Sequence, residues 1–143
     1  MTDAPDICQT CRREIEALHQ FFEDWLRGEC PNTDAAFERL RCALASDFRL
    51  IHPSGRWTTR EDILTGLRDG HGRQPSLTID IRDVRLRQAT DELAVATYEE
   101  WQETGASTDG RLSTVAFRRE ADAPNGLRWL HVHETWLEAS EGE

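Results

Sequence analysis

Two histidines and a glutamate lie within four residues of one another in Trp129-Leu130-His131-Val132-His133-Glu134-Thr135-Trp136-Leu137, a stretch that also holds two of the chain's five tryptophans. Its alternation reads as a last, central β-strand. Side chains two apart on a strand share a face, so His131 and His133 stand together with Trp129 and Thr135. Such a pair can bind zinc when a third ligand and an open water position are supplied. The next residue on that face is Thr135, which supplies no third ligand, and histidine beside tryptophan suits a partly dry subunit contact better. Leu130, Val132, Glu134 and Trp136 make the other, greasier face, which is expected to look into the core. Glu134 is then a carboxylate among apolar neighbours, surroundings that raise its pKa and let it donate a proton near neutrality.

The same alternation brings in two more titratable groups. His52 ends a short strand in which Phe48 and Leu50 share its face, and Glu99 shares a face with Leu93, Val95, Thr97 and Trp101. With those faces taken as inward, His52, Glu99 and Glu134 form an acid-base set: neutral imidazole accepts a proton near pH 7, and two neighbouring carboxylates push their titrations apart into one acid and one base. His52 is the expected base, and Glu134 or Glu99 the acid. Trp57, Trp101 and Trp136 would wall such a pocket with flat apolar surface for a cyclic or aromatic ligand. The bland alternative is that the glutamates sit in cross-strand ion pairs with Arg118, Arg119 or another arginine while His52 caps its strand.

Cys8-x-x-Cys11 invites a metal or thiol reading, but Cys30 and Cys42 form no second tight pair. Cys8, Cys11, Ile15, Leu18, Phe22 and Trp25 recur at spacings of three and four, so the cysteines begin the apolar stripe of a helix. The reading calls for no metal and no cofactor.

The elements that must position these groups can be followed in order. Asp3 or Asp6 caps a first helix that ends at Gly28, and a second runs from Thr33 through Leu44. After the short strand to His52, the turn Pro53-Ser54-Gly55 and a brief strand at Arg56-Trp57, Thr58 or Thr59 caps a third helix closed by Gly70 and Gly72. Four longer strands then follow in meander order. In the first, the apolar positions switch parity after Ile81, which predicts a bulge near Arg82-Asp83. Residues 104–110 read as a loop, Ser113, Val115 and Phe117 as an inward face, and Pro124-Asn125-Gly126 as the turn into the last strand. Three helices on a strongly curved antiparallel sheet make an α+β domain shaped as a cone with an internal pocket. Tyr98 and Trp129, with His131 and His133, are expected on the outer face of that sheet, where they would pair two subunits.

At 143 residues the chain reads as one domain, with a core from about 7 to 137 and an acidic tail at 138–143. Its 17 basic residues are all arginine and face 27 acidic ones, for a net charge of −10 that repels nucleic acid and anionic membranes. The absence of a leader or long apolar run points to a cytoplasmic protein.

Asp47-Phe48 leading to Pro53-x-Gly55, and Trp129-x-x-Val132-His133-Glu134, resemble the nuclear-transport-factor-2-like superfamily, which includes SnoaL-like polyketide cyclases and ketosteroid isomerases. The resemblance runs from Ile15 to Leu137. It implies a cystatin-like cone whose mouth holds ligand and whose convex face pairs subunits. In ketosteroid isomerases an aspartate of an Asp-Pro-x-Gly stretch is the base; the matching stretch here is His52-Pro53-Ser54-Gly55, which keeps a titrating group but changes it. The isomerase oxyanion donors fall at Phe21 or Phe22 and near Ser113, and phenylalanine donates no hydrogen bond, so steroid-type enolisation is not supported. Relatives often carry a second histidine where this chain has Thr135. The sequence therefore reads as a homodimeric pocket protein for a small apolar or aromatic molecule, with isomerase, dehydratase or cyclase chemistry by acid-base catalysis as its enzymatic form. The alternative is a non-catalytic ligand-binding or dimerisation module.

Overall fold

The structure, a computed structural model, describes residues 6–137. The acidic tail at 138–143 and the alternative cap Asp3 lie outside the described residues.

Helix α1 (Ile7–Arg27) begins where the Asp6 carboxylate accepts the Cys8 N–H, and ends at Gly28, whose φ of 77° only glycine adopts at little cost. Cys11, Ile15, Leu18 and Trp25 on its stripe are buried, as the helical reading of the cysteines requires. Helix α2 (Asp34–Ala43) is capped by Thr33 and leads directly into strand β1 (Leu44–Ile51). Strand β2 (Trp57–Thr59) delivers Thr59, which with Asp62 forms the capping box of α3 (Arg60–Asp69). Strands β3 (Leu77–Ala89), β4 (Leu93–Thr104), β5 (Ser107–Arg119) and β6 (Leu127–Trp136) complete the chain, the last entered through a 3-10 turn at Pro124–Gly126. The expected loop at 104–110 is instead a tight hairpin: β4 reaches Thr104, β5 resumes at Ser107, and Gly105 at φ 59° makes the reversal. No helix among the described residues is long and apolar enough to cross a membrane.

The six strands lie in the order β2-β1-β6-β5-β4-β3. Neighbours are antiparallel except β1 and β6, which run parallel, so the sheet is mixed and open, and the helices pack against its concave face. Of its register shifts, two bear on the faces that its strands present. The register shifts between Arg82 and Arg85 with Asp83 at φ 57°, where the parity switch in β3 places a bulge. The other is in β6: Trp129 pairs with Phe117 but His131 with Ala116, leaving Leu130 as the extra residue. That bulge turns Trp129 to the same side as Val132 and Glu134. Trp129 is therefore buried in the core at 2% exposure and is not on the outer face.

Strand β4 also presents the opposite face from the one its sequence suggests. Both of its faces carry apolar residues, so alternation alone leaves their direction open. Pairing decides it, because cross-strand partners share a face. Phe117, Val115 and Ser113 of β5 point inward and lie opposite Ala94, Ala96 and Tyr98. Tyr98 and Glu100 thus enter the core, while Leu93, Val95, Thr97, Glu99 and Trp101 stand on the convex face.

Glu14 of α1 closes the assembly at one end. Its carboxylate has no exposure and accepts from Arg39 of α2 at 2.8 Å, Asn125 of the 3-10 turn at 3.0 Å and the Trp129 indole N–H of β6 at 2.9 Å. Replacing Glu14 by glutamine turns an acceptor into a partial donor facing three donors. Denaturant unfolding of Glu14→Gln should show a loss of about 3 kcal/mol, the lower end for a broken buried ion pair since Arg39 stays partly solvated; a change under about 0.5 kcal/mol, the ordinary surface value, would contradict the role given to this carboxylate.

Candidate functional site

A cavity of about 330 Å³ opens inside the cone between α1, α3 and the concave sheet face. Most of its wall is apolar: Leu18 and Phe22 from α1, Phe48 and Leu50 from β1, Ile63 and Leu67 from α3, Val132 from β6. Most of the polar groups come from the strand positions that face inward at one end, namely Tyr98, Glu100 and Gln102 of β4, Arg111 of β5 and Glu134 of β6, with His19 from α1, His52 after β1 and Asp62 from α3.

His19 is set by a helical contact one turn back: its Nδ1 lies 2.8 Å from the Ile15 carbonyl oxygen. A carbonyl only accepts, so Nδ1 carries a proton, and the 3.2 Å contact of Nε2 with Glu100 Oε1 requires a second one. Burial opposes charge on His19, yet the Glu100 carboxylate outweighs it and the imidazole pKa is raised. Burial likewise opposes charge on Glu100, but His19, the 2.6 Å bond from Gln102 Nε2 and Arg111 bring its pKa down to about 2. The pair is an imidazolium and a carboxylate, sealed from water at 6% and 7% side-chain exposure.

Arg111 lies beside this pair. In the ladder it stands between Glu100 and Trp136, and its guanidinium sits 5.0 Å from the Trp136 ring centroid. It reaches Glu134 Oε1 at 3.4 Å and Asp109 Oδ1 at 3.2 Å, while its Nε is buried without a hydrogen-bond partner. Burial disfavours charge on the guanidinium, but Glu100 and Glu134 hold it firmly protonated. Glu134 goes the other way: burial first and Glu100 second raise its pKa, against the pull of Arg111 and His19. One carboxylate is thus depressed and its neighbour raised, which separates a permanent anion from a group able to carry a proton. The Tyr98 phenol is pushed up by burial, with Glu100 and Glu134 adding.

Among the residues expected at the site, His52, Glu134 and Phe22 line the cavity. His52 Nε2 is 2.6 Å from Thr58 Oγ1, and burial, then Arg56 and Arg111, lower its pKa, keeping the ring neutral. Trp136 lies on Arg111 and is 54% exposed, outside the cavity wall. Ser113 is fully buried behind the wall, opposite Tyr98. Three residues lie elsewhere. Glu99 is on the convex face, where it accepts the Trp101 indole N–H at 2.9 Å. Trp101 spreads across Gly110, where an added Cβ would meet its ring at 2.7 Å, and faces Arg82 at 5.1 Å. Trp57 is 60% exposed and stands 6.2 Å from His131, also on the convex side. Of the four residues expected on the outer face, His131 and His133 are there, and Tyr98 and Trp129 are not. Three groups escaped the sequence reading: His19, Glu100 and Arg111. The anchored face of β5 held the signal for the last two, since Ser113, Val115 and Phe117 inward put Arg111, and its partner Glu100, inward as well.

The charged pair sets an expected pH dependence. Glu100, depressed on folding, contributes stability that is complete above 4.5 and lost as pH falls toward about 2. His19, raised on folding, contributes stability that is complete below 6.5 and lost as pH climbs through its raised value. The difference in unfolding free energy between wild type and His19→Gln should therefore peak between 4.5 and 6.5, at about 3–5 kcal/mol, and shrink above that range. A difference that is flat from acid to alkaline pH would mean the pair is not ionic.

The family described as Sucrose-6-phosphate phosphohydrolase C-terminal matches residues 11–138. Sucrose-phosphatase 1 of Nicotiana tabacum is 29% identical over 132 residues, which cover 89% of this chain and 31% of the relative. The chain thus spans about a third of the length of the curated relatives it matches. Among solved structures, an NTF-2-like protein of unknown function from Pseudomonas aeruginosa matches with a TM-score of 0.81 at 30% identity, over 90% of this chain and 99% of that one. The CaMKII hub of S. rosetta shares the fold at a TM-score of 0.67 and 12% identity, over 96% of this chain and 100% of that one. At that identity the likeness speaks for the fold alone.

Proposed function

This chain belongs to the sucrose-6-phosphate phosphohydrolase C-terminal family and has the nuclear-transport-factor-2-like fold, and from that premise we propose that it is a self-associating domain whose cone binds one small organic molecule. The observation that carries this reading is the division of the cavity into a long apolar wall and one charged end. An apolar wall favours a ring or alkyl body, and Arg111, Glu134 and Tyr98 at the other end suit one oxygen-bearing group. A disaccharide fits poorly, because its many hydroxyls would lose water against Leu, Phe and Ile without replacement partners. The reading therefore takes from the sucrose-phosphatase relatives a shared domain, not their substrate or their hydrolysis.

A second reading, acid-base turnover in the same cavity, is favoured by Glu134. Its raised pKa equips it to donate a proton, with neutral His52, also on the cavity wall, as the base. This is a narrower set than His52, Glu99 and Glu134, since Glu99 is outside. Native mass spectrometry of the purified protein should show a retained small molecule, and Val132→Phe, which fills the cavity, should abolish retention while the protein stays folded. No retained mass and no thermal shift with any apolar acid or ketone would sink the binding reading; turnover of a found ligand that survives Glu134→Gln at full rate would sink the second one.

The convex sheet face supplies the self-association. It carries Trp57, Trp101, Leu112, His131 and His133, a mixture of exposed apolar and amphipathic groups. The hub name of one structural neighbour supports the idea that this fold assembles. We place a homodimer across this face, in the cytoplasm, with no nucleic acid or membrane as partner. Sedimentation should give twice the chain mass, and His133→Glu should weaken the assembly at least tenfold by leaving like charges at the contact. A monomer at micromolar concentration would refute the dimer.

A further inference from the structure

The molecule has a second concavity, on the other side of α3 from the cavity. Its volume is about 570 Å³, and Arg41, Arg49, Arg60 and Arg68 line it together with Glu61 and Asp69. Helix α3 is the partition: Ile63 and Leu67 line the cavity, whereas Leu64 and Arg68 line this cleft. Four arginines against the lining acids Glu61 and Asp69, with Asp34 paired to Arg68, leave a local charge of +1 in a chain whose net charge is −10. An anion repelled by the molecule at large is thus attracted here.

We propose that this cleft is a binding site for a phosphate monoester of a small metabolite, separate from the cavity. Three of the four arginines are fixed in advance. Arg60 donates from Nε and a terminal nitrogen to the carbonyls of Leu44 and Arg41, at 3.3 and 2.9 Å, where α2 ends and β1 begins. Arg49 donates to the carbonyls of Asp47 and Phe48 at 3.1 and 2.9 Å. Arg68 is held by Asp34 and Asn32 and lies 5.3 Å from the Trp25 ring centroid. Neutral carbonyls orient Arg49 and Arg60 without cancelling their charge. Neither of these, nor Arg41, has a carboxylate within ion-pair distance among the described residues. Each guanidinium has five N–H donors, so those spent on carbonyls leave others for a ligand. Planar forks converging from three elements match a phosphate, which offers several acceptor oxygens, better than a single carboxylate. The first turn of α3, entered through Thr59 and Arg60 at the cleft, adds the positive end of its dipole.

Arg41 and Arg49 are the residues to change, because Arg60 ties down the end of α2. Calorimetric titration at low ionic strength with inorganic phosphate and with glucose 6-phosphate should show saturable one-to-one binding that weakens as salt is added. Each arginine lost should lower affinity about tenfold, so Arg41→Gln with Arg49→Gln should lower it roughly a hundredfold, at unchanged unfolding midpoint. Arg111→Gln, in the cavity, should leave it unaltered. Tighter binding of the sugar phosphate supports a metabolite ester as the occupant; equal binding overturns that assignment in favour of free phosphate. Absence of saturable binding, binding that survives the double variant, or loss of binding in Arg111→Gln overturns the site. A double variant that shifts only the sedimentation of the protein also overturns it, making the cleft a subunit contact. Loss of binding in Arg111→Gln would instead place the anion in the cavity, whose charged end Arg111 forms; the other outcomes leave ligand retention there untouched.

Discussion

A carboxylate without water holds this fold together. Glu14 has three hydrogen-bond donors on it, from α2, from the turn before β6 and from β6 itself, and no exposure. An unpaired carboxylate in that position would be disfavoured by several kcal/mol, so the three donors must arrive together for the chain to bury it. Two local irregularities make this happen. Asn125 occupies a left-handed conformation, φ 54°, in the turn before β6, and the extra residue Leu130 rotates the strand so that Trp129 faces the helix. One turn after Glu14 along α1 come Leu18 and His19, so the interaction that fixes α1 on the sheet also fixes the wall of the cavity.

Inside the cone, charge is placed where it is expensive. His19, Glu100, Arg111 and Glu134 lie close together behind apolar walls, and each is stabilised by the others in place of water. A pair such as His19 and Glu100 contributes little net stability compared with a well-packed apolar pair, although removing one partner is strongly destabilising. Retaining such a group where leucine would serve the fold makes sense when a ligand has to be recognised or protonated there. Glu100 is depressed and Glu134 raised, so the two neighbouring carboxylates differ in how readily they hold a proton.

The two faces of the sheet divide the work. The concave face holds the cavity and its charges. The convex face offers indoles and imidazoles that are comfortable both in water and against another protein surface. Trp101 illustrates how the latter is built: it lies flat across Gly110, which has no side chain to lift it, and hydrogen-bonds Glu99 beside it. The chain spans about a third of the length of its sucrose-phosphatase relatives.

The elements were legible from local chemistry. The cap at Thr33, the caps at Asp6 and Thr59 as one of two neighbouring candidates each, the stop at Gly28, the stripe through Cys11, Ile15 and Leu18, and the parity switch at Arg82-Asp83 are all written into short stretches, where the physics of a helix end or a bulge acts over a few residues. So were the inward positions of His52 and Glu134, each next to an unambiguous apolar face. The face of β4 was not, because Leu93 and Val95 compete with Ala94 and Ala96 and only the partner strand arbitrates. Nor was the turn of Trp129, since one extra residue in a strand reverses the side of everything before it. Local sequence by itself determined three helices, a curved sheet and two of the polar groups in the cone. The tertiary structure decided which carboxylate joins them, Glu100 and not Glu99, and brought His19 and Arg111 to it. The reason is that strand direction is a property of pairing between segments, and no single segment contains its partner.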